Sequence, residues 1–191
     1  MGGIDKGLQL YKGTPLAKHA IFLLQPQVGS LLINANRNLD IYESWKSDAV
    51  SEVVVDEIAD FAGPLAGFLV GLQQCQTPFL MTVPCDTPRF PINLVARLSE
   101  ALVHNDVDIA MVSSPDSEGF LRHQPVFCLM KRELVESLKA FTDAGGRKIG
   151  AWATQQKLVR VNFNEAYDDP KAFYNANTLE DLEQLSHYEK H

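Results

Sequence analysis

The sequence has few cysteines and no long apolar run. Its three cysteines, Cys75, Cys85 and Cys128, are an odd number and lie scattered in apolar stretches, which is typical of reduced, buried thiols rather than of a disulfide framework. No pair of them has the spacing of zinc ligands. No apolar stretch approaches the length of a membrane span, and no secretory signal opens the chain. We therefore expect a cytoplasmic protein that does not cross a membrane.

Positive charge is also scarce. Lysine and arginine number 17 against 24 aspartates and glutamates, which gives a formal net charge of -7. A surplus of negative charge repels nucleic acids and anionic membrane surfaces, so neither is expected as a partner. An anionic small molecule would need a local basic side chain or a metal ion in order to bind, because the field of the whole protein opposes it.

Short apolar runs alternate with amphipathic stretches along the 191 residues. The runs predict buried strands and the amphipathic stretches predict helices, which together indicate βαβ units and a mostly parallel sheet. The length suits one domain with a sizeable core. We find no internal repeat, low-complexity segment or linker, so the sequence predicts a single α/β domain over residues 1–191.

The stretch from Pro78 to Pro88 organises the rest of the chain. Its apolar run, Phe79 to Val83, predicts a strand buried on both faces, and the strand leads to Asp86. Ligands of open α/β sheets bind just outside the carboxyl ends of the strands. A carboxylate at that place can hold Mg²⁺ against a substrate phosphate. Alternatively, Asp86 caps the following turn or helix, as aspartate often does.

Two polar segments near the start are candidates for phosphate or nucleoside contacts. Lys6 lies in a glycine-rich opening and could reach a phosphate as a point charge; the alternative is a solvated lysine in a flexible terminus. Asn34 to Arg37 come directly after a short predicted strand, Leu31 to Ile33. Their side chains could bind a nucleoside and its phosphates, or they could form turns and a helix cap.

A second carboxylate and two glycines follow the predicted strand Val53 to Val55. Asp56 ends that strand, and Gly63 with Pro64 predicts the start of a helix. Gly63 and Gly67 lack side chains, so a flat base could lie close to the backbone. Tight packing of the helix against a strand explains the same glycines equally well.

Later polar residues are weaker candidates. Arg122 and His123 lie in a predicted loop between strands, where they could contact a second substrate or face solvent. Asn175 and Asn177 precede the last predicted helix, whose start at Thr178 to Asp181 fits a capping box. The two asparagines could therefore be turn residues before the cap.

Six short motifs occur in a fixed order over nearly the whole chain. They are Met1-Gly2-Gly3-x-Asp5-Lys6-Gly7, Asn34-Ala35-Asn36-Arg37, Asp56, Gly63-Pro64-Leu65-Ala66-Gly67, Pro84-Cys85-Asp86-Thr87-Pro88 and Asn175-x-Asn177-Thr178. Each motif alone is a weak signal. As an ordered set they resemble the molybdenum cofactor guanylyltransferases (molybdopterin-guanine dinucleotide synthases, MobA).

This resemblance implies a fold and a reaction. The fold is a Rossmann-like, three-layer nucleotidyltransferase domain. The reaction transfers GMP from GTP to the phosphate of molybdopterin, with release of pyrophosphate, in molybdenum cofactor biosynthesis. It uses Mg²⁺, and transient contacts with other proteins of cofactor assembly are expected.

The resemblance also implies roles for individual residues. It implies that GTP is contacted by Lys6, Asn34, Asp56, Asp86 and the glycines Gly63 and Gly67, which border the guanine. It makes Lys6 and Asp86 the catalytic residues and puts the metal on Asp86. On the molybdopterin side, where they could also help to hold the metal, it implies Asn175 and Asn177. Further candidates for contact with the second substrate are Arg122, His123 and Arg147.

The sequence departs from the family's pattern at its start. The family opens with a strand from the middle of the sheet and a Leu-Ala-Gly-Gly-x-x-x-Arg loop, just upstream of the segment matched by Met1 to Gly3. Here that strand and most of that loop are absent. We expect either that the chain continues upstream or that it is truncated. In this chain the neighbours of the absent strand should keep unpaired backbone groups.

Three readings of the function remain open at this point. The first is a guanylyltransferase, which the Gly63-Pro64-Leu65-Ala66-Gly67 stretch favours. The second is another nucleotidyltransferase of the same fold, such as a molybdopterin cytidylyltransferase. The third is a non-catalytic nucleotide-binding or scaffold protein, which only the short front end supports.

Overall fold

The computed structural model describes residues 5–56 and 63–187. Predicted features at Met1 to Gly3, and at Phe61 and Ala62, lie outside the described residues. The helices are α1 (Leu16–Leu24), α2 (Leu39–Glu43), α3 (Pro64–Gln74), α4 (Leu94–His104), α5 (Val135–Asp143), α6 (Ile149–Ala153) and α7 (Leu179–His187). Short 3₁₀ turns cover Lys6–Leu8, Gln25–Gln27 and Arg132–Leu134. The strands are β1 (Leu10–Tyr11), β2 (Thr14–Pro15), β3 (Leu31–Asn34), β4 (Val50–Val54), β5 (Phe79–Thr82), β6 (Ile109–Pro115), β7 (Leu121–Lys131) and β8 (Leu158–Asn162).

Local sequence signals fix several helix ends. Gly63 is the N-cap of α3 and Pro64 its first residue, as predicted, because proline has no amide hydrogen to leave unpaired in the first turn. At the start of α7, Thr178 and Asp181 form the predicted capping box. The amide of Asp181 donates to Thr178 Oγ1 at 3.0 Å, and the amide of Thr178 donates to Asp181 Oδ2 at 2.8 Å. The starts of α3 and α7 are thus set by residues close to them in sequence.

The larger sheet has the order β5-β7-β6-β8 and is mixed. β8 runs parallel to β6, whereas β7 runs antiparallel to both of its neighbours, β5 and β6. The prediction of a mostly parallel sheet therefore missed the reversed direction of β7. That strand is also longer than predicted. Arg122 and His123 lie within it, paired with Ser114 and Ser113, and not in a loop.

Side chains of β6 alternate between two cores, one on each face of this sheet. Ala110 and Val112 pack with residues of α1 and α4, whereas Ile109 and Met111 pack with residues of α3, α5 and α6, including Trp152. Alternation with period two is what a strand covered on both faces requires. The result is three layers, helix, sheet and helix, as the nucleotidyltransferase fold implies.

A cleft separates the β3–β4 pair from the four-stranded sheet. β3 and β4 form a parallel pair of their own, and neither β3 nor β5 has a second neighbour among the residues described. Both strands line one cavity of about 940 Å³, which α1 and α3 cover on its two sides. Among the described residues, one edge of β3 and one edge of β5 are therefore unpaired, as expected for the neighbours of the family's first strand.

The cleft also explains one wrong prediction. β5 was expected to be buried on both faces, but Phe79 is 42% exposed and the following residues of the strand are half-buried. Within residues 5–56 and 63–187, β5 pairs only with β7, and its other edge borders the cavity. No helix in the described part of the chain is long and apolar enough to cross a bilayer.

The open strand edges predict uneven protection of backbone amides from hydrogen exchange. β6 lies between β7 and β8, whereas β3 and β5 each pair on one side only in the part of the chain that the structure describes. We expect alternate amides of β3 and β5 to exchange faster than those of β6 by roughly a hundredfold or more. Hydrogen–deuterium exchange followed by mass spectrometry or NMR measures this ratio. Equal, slow exchange in all three strands would show that the cleft is closed in solution.

Candidate active site

Lys6, Asp86 and Asn177 meet at one point although they are far apart in sequence. The ammonium group of Lys6 donates to Asp86 Oδ2 at 3.3 Å and to Asn177 Oδ1 at 2.8 Å. The side chain of Lys6 is 40% exposed and that of Asp86 is 16% exposed. One cation thus lies between an anionic and a neutral oxygen at the protein surface, and three residues that were predicted as site residues contact one another.

The segment after β5 holds the C-terminal part of this cluster in place. The carbonyl of Asp86 accepts a hydrogen bond of 2.8 Å from the amide of Ala176. The hydroxyl of Thr87, which is fully buried, donates to Asn175 Oδ1 at 2.6 Å. These two bonds fix residues 175–177 against the turn that carries Asp86. Sequence reasoning assigned no role to Thr87, although it stands next to Asp86 in the same motif.

A second polar cluster joins the ends of β3 and β4. Asp56 accepts hydrogen bonds from the carboxamide of Asn34 at 3.0 Å and from that of Asn36 at 2.6 Å. The backbone amide of Asp56 in turn donates to Asn36 Oδ1 at 2.8 Å. The structure therefore brings Asn34 and Asn36, two of the candidates in the segment Asn34 to Arg37, together with Asp56.

Gly67 provides space for Asn34. A methyl group at Gly67 would lie 2.6 Å from Asn34 Oδ1, a distance that real side chains do not adopt. The structure therefore supports the alternative interpretation of Gly67, which is close packing between helix and strand. The strand residue that Gly67 packs against, Asn34, is itself a candidate for binding the nucleotide. Gly63 differs, because a methyl group there would meet no atom within 4 Å.

Both clusters lie at the cavity between β3 and β5. Its lining includes Asn34 and Gly67 from one cluster and Asp86 and Asn175 from the other. Asn34 is the last residue of β3, and Asp86 follows the end of β5. The side chains thus occupy the carboxyl ends of strands, where ligands of open α/β sheets bind.

Three residues that were predicted to contact a second substrate do not line this cavity. Arg122 forms an ion pair with Asp116, with Nε 2.8 Å from Oδ2. His123 Nδ1 lies 3.1 Å from Ser113 Oγ. Arg147 is exposed beyond α5, where its guanidinium donates to the carbonyl of Gly146 at 3.3 Å.

Cys85 differs from the other two cysteines. Cys75 and Cys128 are buried as predicted, but Cys85 is exposed beside Asp86, and all three are free thiols. Although the residue as a whole is exposed, its thiol is shielded from solvent, and this shielding together with the carboxylates of Asp86 and Asp5 raises the pKa of Cys85 to about 11. At neutral pH the thiol is therefore protonated and a poor nucleophile, so catalysis by Cys85 is not expected.

The oxygen atoms around Lys6 suit a magnesium ion. Asp86 and Asn177 supply a carboxylate and an amide oxygen that already converge on a positive charge. In the part of the chain that the structure describes, no three acidic, histidine or cysteine side chains form a complete metal cage. Magnesium in nucleotide sites commonly takes one or two carboxylates and completes its shell with phosphate and water oxygens. The donors present therefore fit Mg²⁺.

Comparison with solved structures defines the class of fold. Over 96% of this chain and 90% of the other, a molybdopterin-guanine dinucleotide biosynthesis protein A from Archaeoglobus fulgidus superimposes with a TM-score of 0.73 at 16% identity. The 2-C-methyl-D-erythritol 4-phosphate cytidylyltransferase of Thermus thermophilus gives a TM-score of 0.68 at 15% identity, over 95% of this chain and 92% of that chain. The chain therefore has the nucleotidyltransferase fold.

Comparison of sequences narrows the class to one family. The family model described as the MobA-like NTP transferase domain matches residues 1–161. A molybdenum cofactor guanylyltransferase of Albidiferax ferrireducens is 55% identical over 97% of this chain and 89% of that protein. One from an Acidovorax species is 53% identical over 97% of this chain and 88% of its own length. The chain belongs to the MobA-like NTP transferase family, which confirms the resemblance.

Filling the space at Gly67 should weaken the site without unfolding the protein. The Gly67→Ala change directs a methyl group at Asn34 Oδ1, so Asn34 must leave its position beside Asp56. We expect GTP affinity in the presence of Mg²⁺, measured by calorimetry, to fall by roughly tenfold, the value of about one hydrogen bond. Thermal stability should hold or rise, since alanine favours helix.

Gly150→Ala is the matched control for this change. Gly150 also lies in a helix, α6, and a methyl group there would meet no atom within 4 Å. Its GTP affinity should equal that of the parent. If Gly67→Ala also binds GTP like the parent, Asn34 does not contribute to nucleotide binding.

Proposed function

We propose that this protein transfers GMP from GTP to molybdopterin, forming molybdopterin guanine dinucleotide and pyrophosphate. Relatives at 53% and 55% identity are named molybdenum cofactor guanylyltransferases. The observation that carries the proposal for this chain is the position of Lys6, between Asp86 and Asn177 at the ligand-binding edge of the fold. A positive charge at that edge is needed because both substrates are anions and the protein's net charge is -7.

Nucleotidyl transfer depends on positioning and charge stabilisation more than on covalent catalysis. The attacking phosphate is already an anion, so no strong general base is required. Lys6 neutralises charge that develops on the pyrophosphate leaving group. Asp86, with Asn177 beside it, holds the divalent ion; Mg²⁺, when bound there, offsets the repulsion between the two anionic substrates.

The second cluster orients the nucleoside. Asn34 presents its carboxamide at the cavity, and Asn34 and Asn36 together hold the carboxylate of Asp56 in one direction. Gly63 has no side chain at the start of α3, which suits the close approach of a flat guanine to the backbone. Asn175, which lines the cavity together with Asp86, faces molybdopterin.

The remaining predicted contacts keep a lesser place in the proposal. Arg122, His123 and Arg147 stay predictions for the second substrate, because the cavity lining does not include them. The three free thiols fit a reaction in the reducing cytoplasm. Other proteins of cofactor assembly would deliver molybdopterin or receive the product through transient contacts.

Removal of the charge at Asp86 tests the proposal most simply. Asp86→Asn should lower the rate of pyrophosphate release from GTP and molybdopterin by roughly a hundredfold or more, because it removes the carboxylate that holds Mg²⁺. Lys6→Met should lower the same rate for lack of a cation at the leaving group. Chelation of Mg²⁺ with EDTA should abolish the reaction of the parent protein.

Asp143→Asn serves as the control. Asp143 also pairs with a lysine, Lys139, at 2.6 Å, but on the exposed surface of α5, and its loss should leave the rate unchanged. Full activity of Asp86→Asn would remove Asp86 from the mechanism. A parent protein that releases pyrophosphate with CTP rather than GTP would favour the cytidylyltransferase reading, and binding of either nucleotide without turnover would favour the scaffold reading.

A further inference from the structure

The carboxylate of Asp5 is the centre of a small network beside Lys6. Its Oδ1 atom accepts from the amide of Gly7 at 3.1 Å and from the hydroxyl of Tyr42 at 2.8 Å. Its Oδ2 atom accepts from the carboxamide of Asn38 at 3.0 Å. Asp5 thereby caps the 3₁₀ turn that begins at Lys6, so the turn is tied to residues more than thirty positions along the chain.

Tyr42 is well suited to hold this turn. Its residue is only 4% exposed, and its ring packs edge-on against Trp45 with centroids 5.0 Å apart. Burial and the hydrogen bond to Asp5 raise the pKa of Tyr42 well above its usual range, so the hydroxyl remains a donor at every working pH. A side chain at Gly7 would collide with that hydroxyl, which shows how closely the turn approaches it.

Asn38 adds a second support with a conformational cost. Its backbone is left-handed, with φ 50° and ψ 38°, a region that asparagine tolerates better than most residues. In that conformation it precedes α2 and its carboxamide reaches Asp5 Oδ2. Two side chains from one segment therefore fix both oxygen atoms of the same carboxylate.

We propose that Tyr42 is a positioning residue: through Asp5 it holds the turn that presents the Lys6 ammonium to Asp86 and Asn177. The catalytic part of this inference rests on the proposed function, but the positioning of Lys6 does not. The Tyr42 hydroxyl donates to Asp5, and Tyr42 itself is not among the residues that line the cavity. We therefore expect its effect on Lys6 to pass through Asp5.

Tyr42→Phe removes the hydroxyl and keeps the ring that packs against Trp45. Lys6 is held by two oxygens in the parent, so its acylation by acetic anhydride should be slow. In the variant we expect Lys6 to be acylated roughly five- to tenfold faster, measured by peptide mass spectrometry without any nucleotide. In the transfer assay kcat should fall by a similar factor, while KM for GTP changes less than twofold, since Lys6 acts on the leaving group.

Thr142→Val is the matched control. Thr142 is likewise buried, and its hydroxyl donates to the carbonyl of Lys139 at 2.8 Å, so the variant also loses one buried hydroxyl. It should lose a similar amount of thermal stability and leave both Lys6 acylation and kcat unchanged. Asn38→Gly keeps a left-handed backbone accessible but removes the second support, and it should raise Lys6 acylation in the same direction.

The acylation measurement and the transfer assay together separate the positioning of Lys6 from the proposed function. Unchanged Lys6 acylation in Tyr42→Phe, with cooperative melting retained, would overturn the positioning role of Tyr42. Faster acylation in a protein whose parent form transfers no GMP would uphold the positioning and reject the proposed function instead. Equal acceleration by Thr142→Val would assign the effect to general loss of stability and would also overturn the inference.

Discussion

The contact of the Lys6 ammonium with Asp86 and Asn177 is the constraint on which the site depends. It joins the start, the middle and the end of the described chain at one point, through contacts that span 80 and 171 residues in sequence. Its worth to stability is small, because ion pairs as exposed as this one contribute about 1 kcal/mol or less. The convergence of three distant segments at a contact that adds little stability supports the proposal that this cluster binds a divalent ion and the phosphates of a nucleotide.

The rest of the fold supports that point from two sides. The strands place polar groups at their carboxyl ends, Asn34 as the last residue of β3 and Asp86 after β5, across a cavity of about 940 Å³. α3 spans the gap between the strand groups, since a methyl group at Gly67 would meet Asn34 and one at Gly71 would lie 3.1 Å from Leu80. Gly67 and Gly71 thus let α3 pack closely on both β3 and β5. The helix thereby holds the cluster around Asp56 and the cluster around Asp86 at a fixed separation.

Local patterns in the sequence sufficed for some of these features and not for others. The start of α3 at Pro64 and the capping box at Thr178 were predictable because each depends on neighbours within four residues. The extent of β7 was missed, because Arg122 and His123 are polar and carry no apolar strand pattern, although they pair with the preceding strand, β6. The hydrogen bond from Thr87 to Asn175 spans 88 residues and leaves no periodic signal. The family motifs that contain Thr87 and Asn175 were recognised in the sequence, but the motifs did not predict which atoms of the two residues meet.

A crystal structure with GTP and Mn²⁺, with the metal located by anomalous scattering, tests the central claim most directly. Mn²⁺ accepts the same oxygen ligands as Mg²⁺ and is visible at its absorption edge. The account predicts an anomalous peak within direct coordination distance of the Asp86 carboxylate, with the Lys6 ammonium on the phosphates of GTP. A metal bound elsewhere on the triphosphate, with Lys6 still paired to Asp86 as in the protein alone, would contradict it.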